Sequence, residues 1–508
     1  MSTIGLEALL RAVGIAPPTG LGNGPNVHRV VYDSRSAGPG SLFVAVPGGH
    51  ADGHDFAAEA VRRGAVAVIA ERRPRGLPSR LPVVVVPNSR RTLSALAAAL
   101  AGYPSRELTV VGITGTDGKT TTATLLWAAW RAAGIRAGSL TTIDFRSGDA
   151  VTPNLTRQTT LEAVEVHEQL RSMRDAGCTS VALETSSHSL ELHRVADVDY
   201  RAAVYTRITS EHLELHGTRD RYLAAKRRLL ERVSTRGDGI AVLDRDDEYA
   251  FPSLSRVPVD RRLTYSAGGR YGADLVAQEL SGGPEGIRFV AATPWGRAHI
   301  ALRLAGRFNA ANALAALGAA CATGTALETA VAGLESLERV GGRMELVDLG
   351  QPFTVIIDYA HSAEALQAVL TELRGTTVGR LWAVFGSAGE RDRGKRAIMG
   401  ALAARLSDLI VLTDEDPREE SRDAILEEIA GGAGGRRRGE TLFLIPDREA
   451  AIGFAIAMAE RGDAVLLAGK GHETSMIFGR ERRAWEERAV AERALRERRR
   501  SAPPELTW

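Results

Sequence analysis

Lysine is nearly missing from this chain. Of its 64 basic residues only Lys119, Lys226, Lys395 and Lys470 are lysines, and arginine fills every other basic position. A chain built this way keeps lysine where a compact ammonium that can lose its proton is needed. Cysteine is equally scarce. Cys178 and Cys321 stand alone, without metal-ligand spacing or a partner pattern, which excludes a disulfide framework and a cysteine metal site. Net charge is small as well: 64 basic against 62 acidic residues leaves +2, which gives no general pull toward nucleic acid or anionic lipid. No uncharged apolar run reaches the roughly 18 residues of a membrane span. The start, with Glu7 and Arg11 among its leucines, lacks the charged-then-apolar order of a signal peptide. These absences predict a soluble cytoplasmic protein, and nothing in them fixes an oligomeric state.

What is present is concentrated between Val110 and Thr122, which read Val-Val-Gly-Ile-Thr-Gly-Thr-Asp-Gly-Lys-Thr-Thr-Thr. A β-rich run from Leu108 to Val111 enters a glycine turn and a helical pattern, Ala123 to Ala133, leaves it. Backbone N–H groups in such a turn, backed by a helix N-terminus, cradle phosphate. Lys119 is placed to reach a β- or γ-phosphate and Thr120 to ligate Mg²⁺. Five residues separate Gly112 from Gly118, one more than in the common phosphate loop. The alternative, an ordinary glycine-rich strand-to-helix turn, leaves Gly-Lys-Thr unexplained.

At 508 residues the chain exceeds what one core organises, and roughly three domains are expected. Short β-rich runs alternate with helical patterns up to the breaker Gly102-Tyr103-Pro104-Ser105. A second alternating section follows, with strands at Val181–Leu183, Ala202–Tyr205 and Gly239–Leu243, then a glycine-rich antiparallel patch over Arg261–Ile300 and helices at Asn309–Ala322 and Leu327–Leu337. A second boundary falls near Val340-Gly341-Gly342, and five further strands alternate with helices beyond it. The expected domains are therefore residues 1–104, 105–340 and 341–508. The fold class is α/β: a central doubly wound, mostly parallel sheet of phosphate-loop type, a Rossmann-like C-terminal domain and a smaller α/β N-terminal domain. The tail, Arg480 to Arg500, reads as an Arg/Glu-rich helix with a solvated face.

In doubly wound sheets ligands lie at the carboxyl ends of strands. Glu184-Thr-Ser-Ser-His188 follows one apolar strand, and Thr206-Arg-Ile-Thr-Ser-Glu-His212 follows the next. With the phosphate turn, these make three strand ends carrying a carboxylate, hydroxyls and imidazoles suited to a metal–nucleotide centre. Lys226 lies in Tyr222-Leu-Ala-Ala-Lys226, on a helix where a solvated lysine is the ordinary expectation.

These motifs, in this order, resemble the Mur ligase family over nearly the whole chain. The resemblance rests on Gly-Thr-Asp-Gly-Lys-Thr-Thr (115–121), Glu-Thr-Ser-Ser-His-Ser-Leu (184–190), His-Gly-Thr (216–218) and Tyr-Leu-Ala-Ala-Lys (222–226). Further along it rests on Gly-Arg-Phe-Asn-Ala-Ala-Asn (306–312), Gly-Arg-Met-Glu (342–345), Asp-Tyr-Ala-His (358–361), Asp-Glu-Asp-Pro-Arg (414–418) and Gly-Lys-Gly-His-Glu (469–473). Within the family the chain is most similar to the enzymes adding the third residue of the peptidoglycan stem peptide.

The resemblance implies a ligase that uses ATP to activate a substrate carboxylate as an acyl phosphate, which an amine then attacks. Lys119, Lys226 and His212 would be catalytic. Gly115, Thr116, Asp117, Gly118, Lys119, Thr120 and Thr121 would bind ATP, with Asn309, Asn312, Arg343, Asp358 and His361 around the adenine and ribose. Two Mg²⁺ ions would be held by Thr120, Glu184, His212 and Lys226, the last as a carbamate formed with CO₂. Carbamylation needs the neutral amine, so a lowered Lys226 pKa is expected. Ser34, His50, Gln158, Thr159, Thr160, Ser187 and Arg194 would meet UDP-MurNAc-L-Ala-D-Glu. Arg391, Asp416, Arg418, Gly469 and Glu473 would meet the incoming diamino acid.

The chain departs from the family pattern at Arg207, where asparagine is usual, at Glu211 and Asp117, and at Asp416, which replaces the asparagine common in meso-diaminopimelate enzymes. Arg418 suits the extra carboxylate of diaminopimelate, whereas Asp416 would favour lysine or ornithine, leaving a slight lean to diaminopimelate. The competing readings are a folylpolyglutamate synthase-like ligase and a non-catalytic nucleotide-binding relative.

Overall fold

The computed structural model describes residues 3–18, 21, 24–49, 51–156, 158–209 and 211–501. His50 lies outside them. The chain divides into two compact units, Met1–Thr264 with Gly318–Ala326, and Tyr265–Leu317 with Leu327–Trp508.

The first unit opens on a parallel sheet in the order Arg29–Val31, Ser41–Val44, Ala65–Ala70 and Val83–Val85. These strands are short and valine-rich, and the two inner ones, Ser41–Val44 and Ala65–Ala70, are almost wholly buried, as parallel strands covered on both faces are. The helix Ser89–Leu100 follows, its N-terminus capped by the Asn88 side chain, which accepts from Arg91 N–H. The larger sheet then runs Ala137–Leu140, Ser180–Glu184, Thr109–Thr114, Tyr200–Tyr205 and Ile240–Asp244, all parallel. The hairpin of Asp144–Ser147 and Ala150–Pro153 extends it beside Ala137–Leu140. Strand order reverses about Thr109–Thr114, whose neighbours are Ser180–Glu184 on one side and Tyr200–Tyr205 on the other. The three polar strand ends recognised in the sequence are thereby adjacent.

Glycines in positive-φ conformations mark the turn after Thr109–Thr114. Gly118 has φ 84°, and a Cβ on Gly115 would fall 1.8 Å from Thr206 Oγ1. The helix Lys119–Ala132 begins immediately behind, four residues earlier than its apolar pattern suggests, because the threonines of its first turn are themselves buried.

In the second unit three antiparallel strands, Leu275–Gly283, Gly286–Thr293 and Gly296–Leu302, form the glycine-rich patch. Asn309–Ala322 is the small-residue helix expected from its sequence. A six-stranded sheet follows in the order Glu345–Leu346, Thr354–Asp358, Ala464–Ala468, Leu381–Phe385, Leu409–Leu412 and Leu442–Leu444, parallel apart from its first, two-residue strand. The tail differs from the sequence expectation. Glu481–Ala484 pairs with Ser475–Phe478 as a hairpin, and the helix spans only Glu487–Ser501. Charge spacing could not distinguish these, because the charged residues of the strand, Glu481, Arg482 and Arg483, are all exposed on a two-stranded ribbon.

Candidate active site

In the first unit the site grows from the strand ends. Thr120 Oγ1 donates to Glu184 Oε2 at 2.9 Å, and Thr142 N–H donates to the same oxygen at 2.9 Å. Both side chains are almost fully buried. A hydroxyl and a carboxylate oxygen held together at a phosphate turn are hard donors, the chemistry that Mg²⁺ takes, so these residues fit the ion. Lys119 Nζ donates to the Thr116 carbonyl at 2.7 Å, folded over the turn. Thr121 completes the buried first turn of the helix.

Lys226 comes from the helix Arg219–Ser234 and is 1% exposed. Its Nζ donates to the Gly115 carbonyl at 2.6 Å. Burial, reinforced by the Lys119 charge, holds its pKa well below the ordinary lysine value. The neutral amine required for carbamate chemistry is therefore what this environment favours. One turn earlier, Tyr222 lays its ring 4.5 Å from Lys226 Nζ. Its hydroxyl lies 3.1 Å from Thr116 Oγ1 and also bonds Glu211. Thr116 Oγ1 in turn accepts from Thr209 N–H at 2.9 Å. Tyr222 thus ties the phosphate turn, the following strand end and Lys226 together, a part its place in the motif did not reveal.

His212 sits at φ 57° ahead of the short helix Leu213–His216. Its imidazole pairs with Glu214 at 3.3 Å and Glu211 at 3.6 Å. Among the described residues none of its polar contacts reaches Thr120, Glu184 or Lys226. Asp117 contributes its carbonyl, which accepts from Thr206 Oγ1 at 2.6 Å. Arg207 is exposed, and it is its carbonyl that faces inward, accepting from Thr116 N–H at 2.7 Å.

Around these groups, Thr160 Oγ1 donates to the Glu184 carbonyl at 2.8 Å, and Arg194 reaches the Thr160 carbonyl at 3.1 Å and Glu162 at 2.6 Å. Ser187 Oγ and Arg194 Nε are buried without hydrogen-bond partners among the described residues. Buried polar atoms left in this state are the ones a polar substrate satisfies. Gln158 N–H donates to Thr156 Oγ1 at 3.2 Å, and Thr159 lies between it and Thr160 in the same turn. Ser34 is buried and donates to Glu59 at 3.1 Å.

In the second unit Asn309 Nδ2 donates to the Ala305 carbonyl and Asn312 Nδ2 to Asn309 Oδ1. Asp358 is buried and accepts from Met344 N–H and Ala360 N–H, clasping the segment that bears Arg343. Burial raises its pKa, against the pull of Arg343. The Arg343 guanidinium lies 4.9 Å from the Tyr359 ring, which also meets His361 and His472 at 4.6 and 4.9 Å. Arg343 Nε is buried without a partner. Lys395 donates to the His361 carbonyl at 2.6 Å.

The Asp416 region holds a correction of emphasis. Lys470, fully buried, donates to Asp416 at 3.0 Å and makes a short contact with Glu473. The two carboxylates therefore share one internal cation, and Asp416 does not present a free charge to a substrate amine. Arg418 adopts φ 54°, keeps its Nε buried without a partner and lies only 3.9 Å from Glu390. Gly469, at φ 104°, links this region to Asp358 through its N–H. Arg391 is exposed in the turn before the helix Gly394–Leu406. The sequence marks Lys470 by its rarity and by its place in Gly-Lys-Gly-His-Glu, but not as the partner of Asp416.

Comparison with known proteins agrees with this geometry. Three domain profiles match the chain: "Mur ligase family, catalytic domain" over residues 26–100, "Mur ligase middle domain" over 113–320 and "Mur ligase, glutamate ligase domain" over 342–471. The chain belongs to the Mur ligase family. It is 46% identical, over 93% of its length and 95% of the relative's, to the UDP-N-acetylmuramyl-tripeptide synthetase of Roseiflexus sp.. It is 40% identical, over 94% and 96% of the two lengths, to the UDP-N-acetylmuramoyl-L-alanyl-D-glutamate–2,6-diaminopimelate ligase of Geobacillus thermodenitrificans. A solved 2,6-diaminopimelate ligase of the same description superposes with TM-score 0.68 at 30% identity, covering 98% of this chain and all of that one. A folylpolyglutamate synthase from Mycobacterium tuberculosis shares the fold at 18% identity and TM-score 0.61, over 75% of this chain and 92% of its own.

Proposed function

We propose that this chain is an ATP-dependent ligase that adds a diamino acid to UDP-MurNAc-L-Ala-D-Glu in peptidoglycan synthesis. The observation that carries the reading is Lys226: a buried amine, its pKa pushed well down by burial, hydrogen-bonded to the phosphate turn that Lys119 and Thr120 complete. In this reading the turn's N–H groups and Lys119 hold the β- and γ-phosphates. The substrate carboxylate attacks the γ-phosphorus, ADP leaves, and the incoming amine displaces phosphate from the acyl phosphate. Thr120 and Glu184, with His212 and a Lys226 carbamate, would hold Mg²⁺, which would neutralise the transferring phosphoryl charge. Ser187 and Arg194 orient the dipeptide carboxylate, and Arg391, Arg418 and Glu473 the amino acid. The nucleotide-linked substrate puts the enzyme in the cytoplasm.

The division into residues 1–104, 105–340 and 341–508 is part of the same reading, supported by the spacing of the three matching profiles. Meso-diaminopimelate is favoured over lysine or ornithine. Asp416 is engaged by Lys470, while the unpartnered Arg418 Nε suits a distal carboxylate. ADP release measured with the UDP-muramoyl-dipeptide and each amino acid separately tests this. Release is expected to be fastest with diaminopimelate. Release with lysine or ornithine alone would overturn the amino-acid assignment, and none with any of the three would overturn the ligase reading.

A further inference from the structure

His188, His212 and Glu214 form a second donor group in the first unit, joined to the Thr120–Glu184 pair by no hydrogen bond among the described residues. Each offers one ligand atom, and these atoms lie within 4.8 Å of one another. The donors come from two elements: His188 from the short helix Ser187–Glu191, and His212 with Glu214 from the segment opening the helix Leu213–His216. The imidazoles of His188 and His212 meet edge to face, with centroids 4.4 Å apart and planes at 89°. Beside them lies a third imidazole, His216, its centroid 5.9 Å from that of His188. His216 is 4% exposed, and its Nε2 has no hydrogen-bond partner among the described residues.

The ligase reaction as read above employs His212 and leaves the other donors without a task. Mg²⁺ is a hard ion that prefers oxygen, and it gains little from several imidazoles. Two imidazoles and one carboxylate are instead the donor set of open zinc sites, which complete their coordination with water. We propose that His188, His212 and Glu214 bind a borderline d-block cation of the Zn²⁺ class, and that filling this site withdraws His212 from the nucleotide's Mg²⁺. The first half stands on the cluster's geometry; the second rests on the reading of His212 as a Mg²⁺ ligand. The consequence is an enzyme whose metal centre is inhibited by the wrong metal at a definable place.

The test uses the full chain, stripped of metal with a chelator and kept free of nucleotide, with Co²⁺ as the probe. Titration followed by visible absorption and calorimetry is expected to show one saturable site per chain, emptied by Zn²⁺. His188→Asn and Glu214→Gln are each expected to weaken it more than about tenfold. Should His188→Asn fail to fold, Glu214→Gln decides the matter, since the Glu214 side chain is 68% exposed and not part of a core. Absence of saturable binding at millimolar Co²⁺, or wild-type binding in Glu214→Gln, would overturn the site. Zn²⁺ added to Mg²⁺-driven ligation is expected to inhibit reversibly, less so in Glu214→Gln; equal inhibition in that variant overturns the competition. Ligation without Co²⁺ binding sinks this inference alone; Co²⁺ binding without ligation sinks the ligase reading and the competition that rests on it, and leaves the cation site standing.

Discussion

Lys226 shows how far one residue's role is set by its surroundings. Its helix position alone describes a solvated lysine, yet the side chain is enclosed and its Nζ is bonded to Gly115. Lys226→Ala should lower ADP formation on the order of 10²-fold or more, because a preorganised charge at the transferring phosphate is removed. Added short-chain carboxylates should restore part of the rate by standing in for a carbamate. Full activity without rescue would refute that role. The rarity of lysine singles out four positions, and each has a defined partner. Lys119 and Lys395 bond backbone carbonyls, Lys226 bonds the phosphate turn, and Lys470 bridges two carboxylates. Which partner each would find was not legible, since the partners lie 3, 34, 111 and 54 residues away.

At the scale of elements, periodicity located most strands and helices because their apolar faces are continuous. Leu381–Phe385, Leu409–Leu412 and Asn309–Ala322 lie where the pattern placed them. The tail was misread because arginine and glutamate serve a ribbon strand and a helix equally well. What fastens that helix is a pair invisible to charge counting: Arg448 and Glu487, both fully buried, in contact at 2.5 Å. Arg448 also donates to the Asp414 and Ala468 carbonyls at 3.0 and 2.8 Å. Glu487→Ala leaves that guanidinium buried without its counter-charge. The second unit should lose about 3–5 kcal/mol in urea unfolding, and a loss below about 1 kcal/mol would mean that the pair behaves as a surface bridge.

For the molecule as a whole, buried imidazoles make acid the vulnerable side. Burial lowers His167 and His188 from 6.5 to about 4 and His472 to about 3. A folded-state pKa below the unfolded one means that the unfolded chain binds the proton first. Stability is then complete above pH 6.5 and falls as pH drops toward 4. His167 is 0% exposed, has neither ring nitrogen hydrogen-bonded, and feels only the opposing pull of Asp197. Its share of the loss between pH 7 and pH 5 is about 2 kcal/mol. His167→Leu should flatten the urea-unfolding stability profile over that interval by a similar amount, and an unchanged slope would show that His167 is not the sensor.

The sequence by itself determined the alternating α/β architecture, the phosphate turn and the family, because each of these is written in short-range order: apolar period, glycine spacing, motifs in series. Only the tertiary structure decided that Glu184 receives Thr120, that Tyr222 joins Thr116 to Lys226, that Lys470 occupies Asp416, and that His188 faces His212. Those pairings depend on which strands become neighbours in the sheet and on which side chains lose their water. Neither is a property of any local stretch of chain.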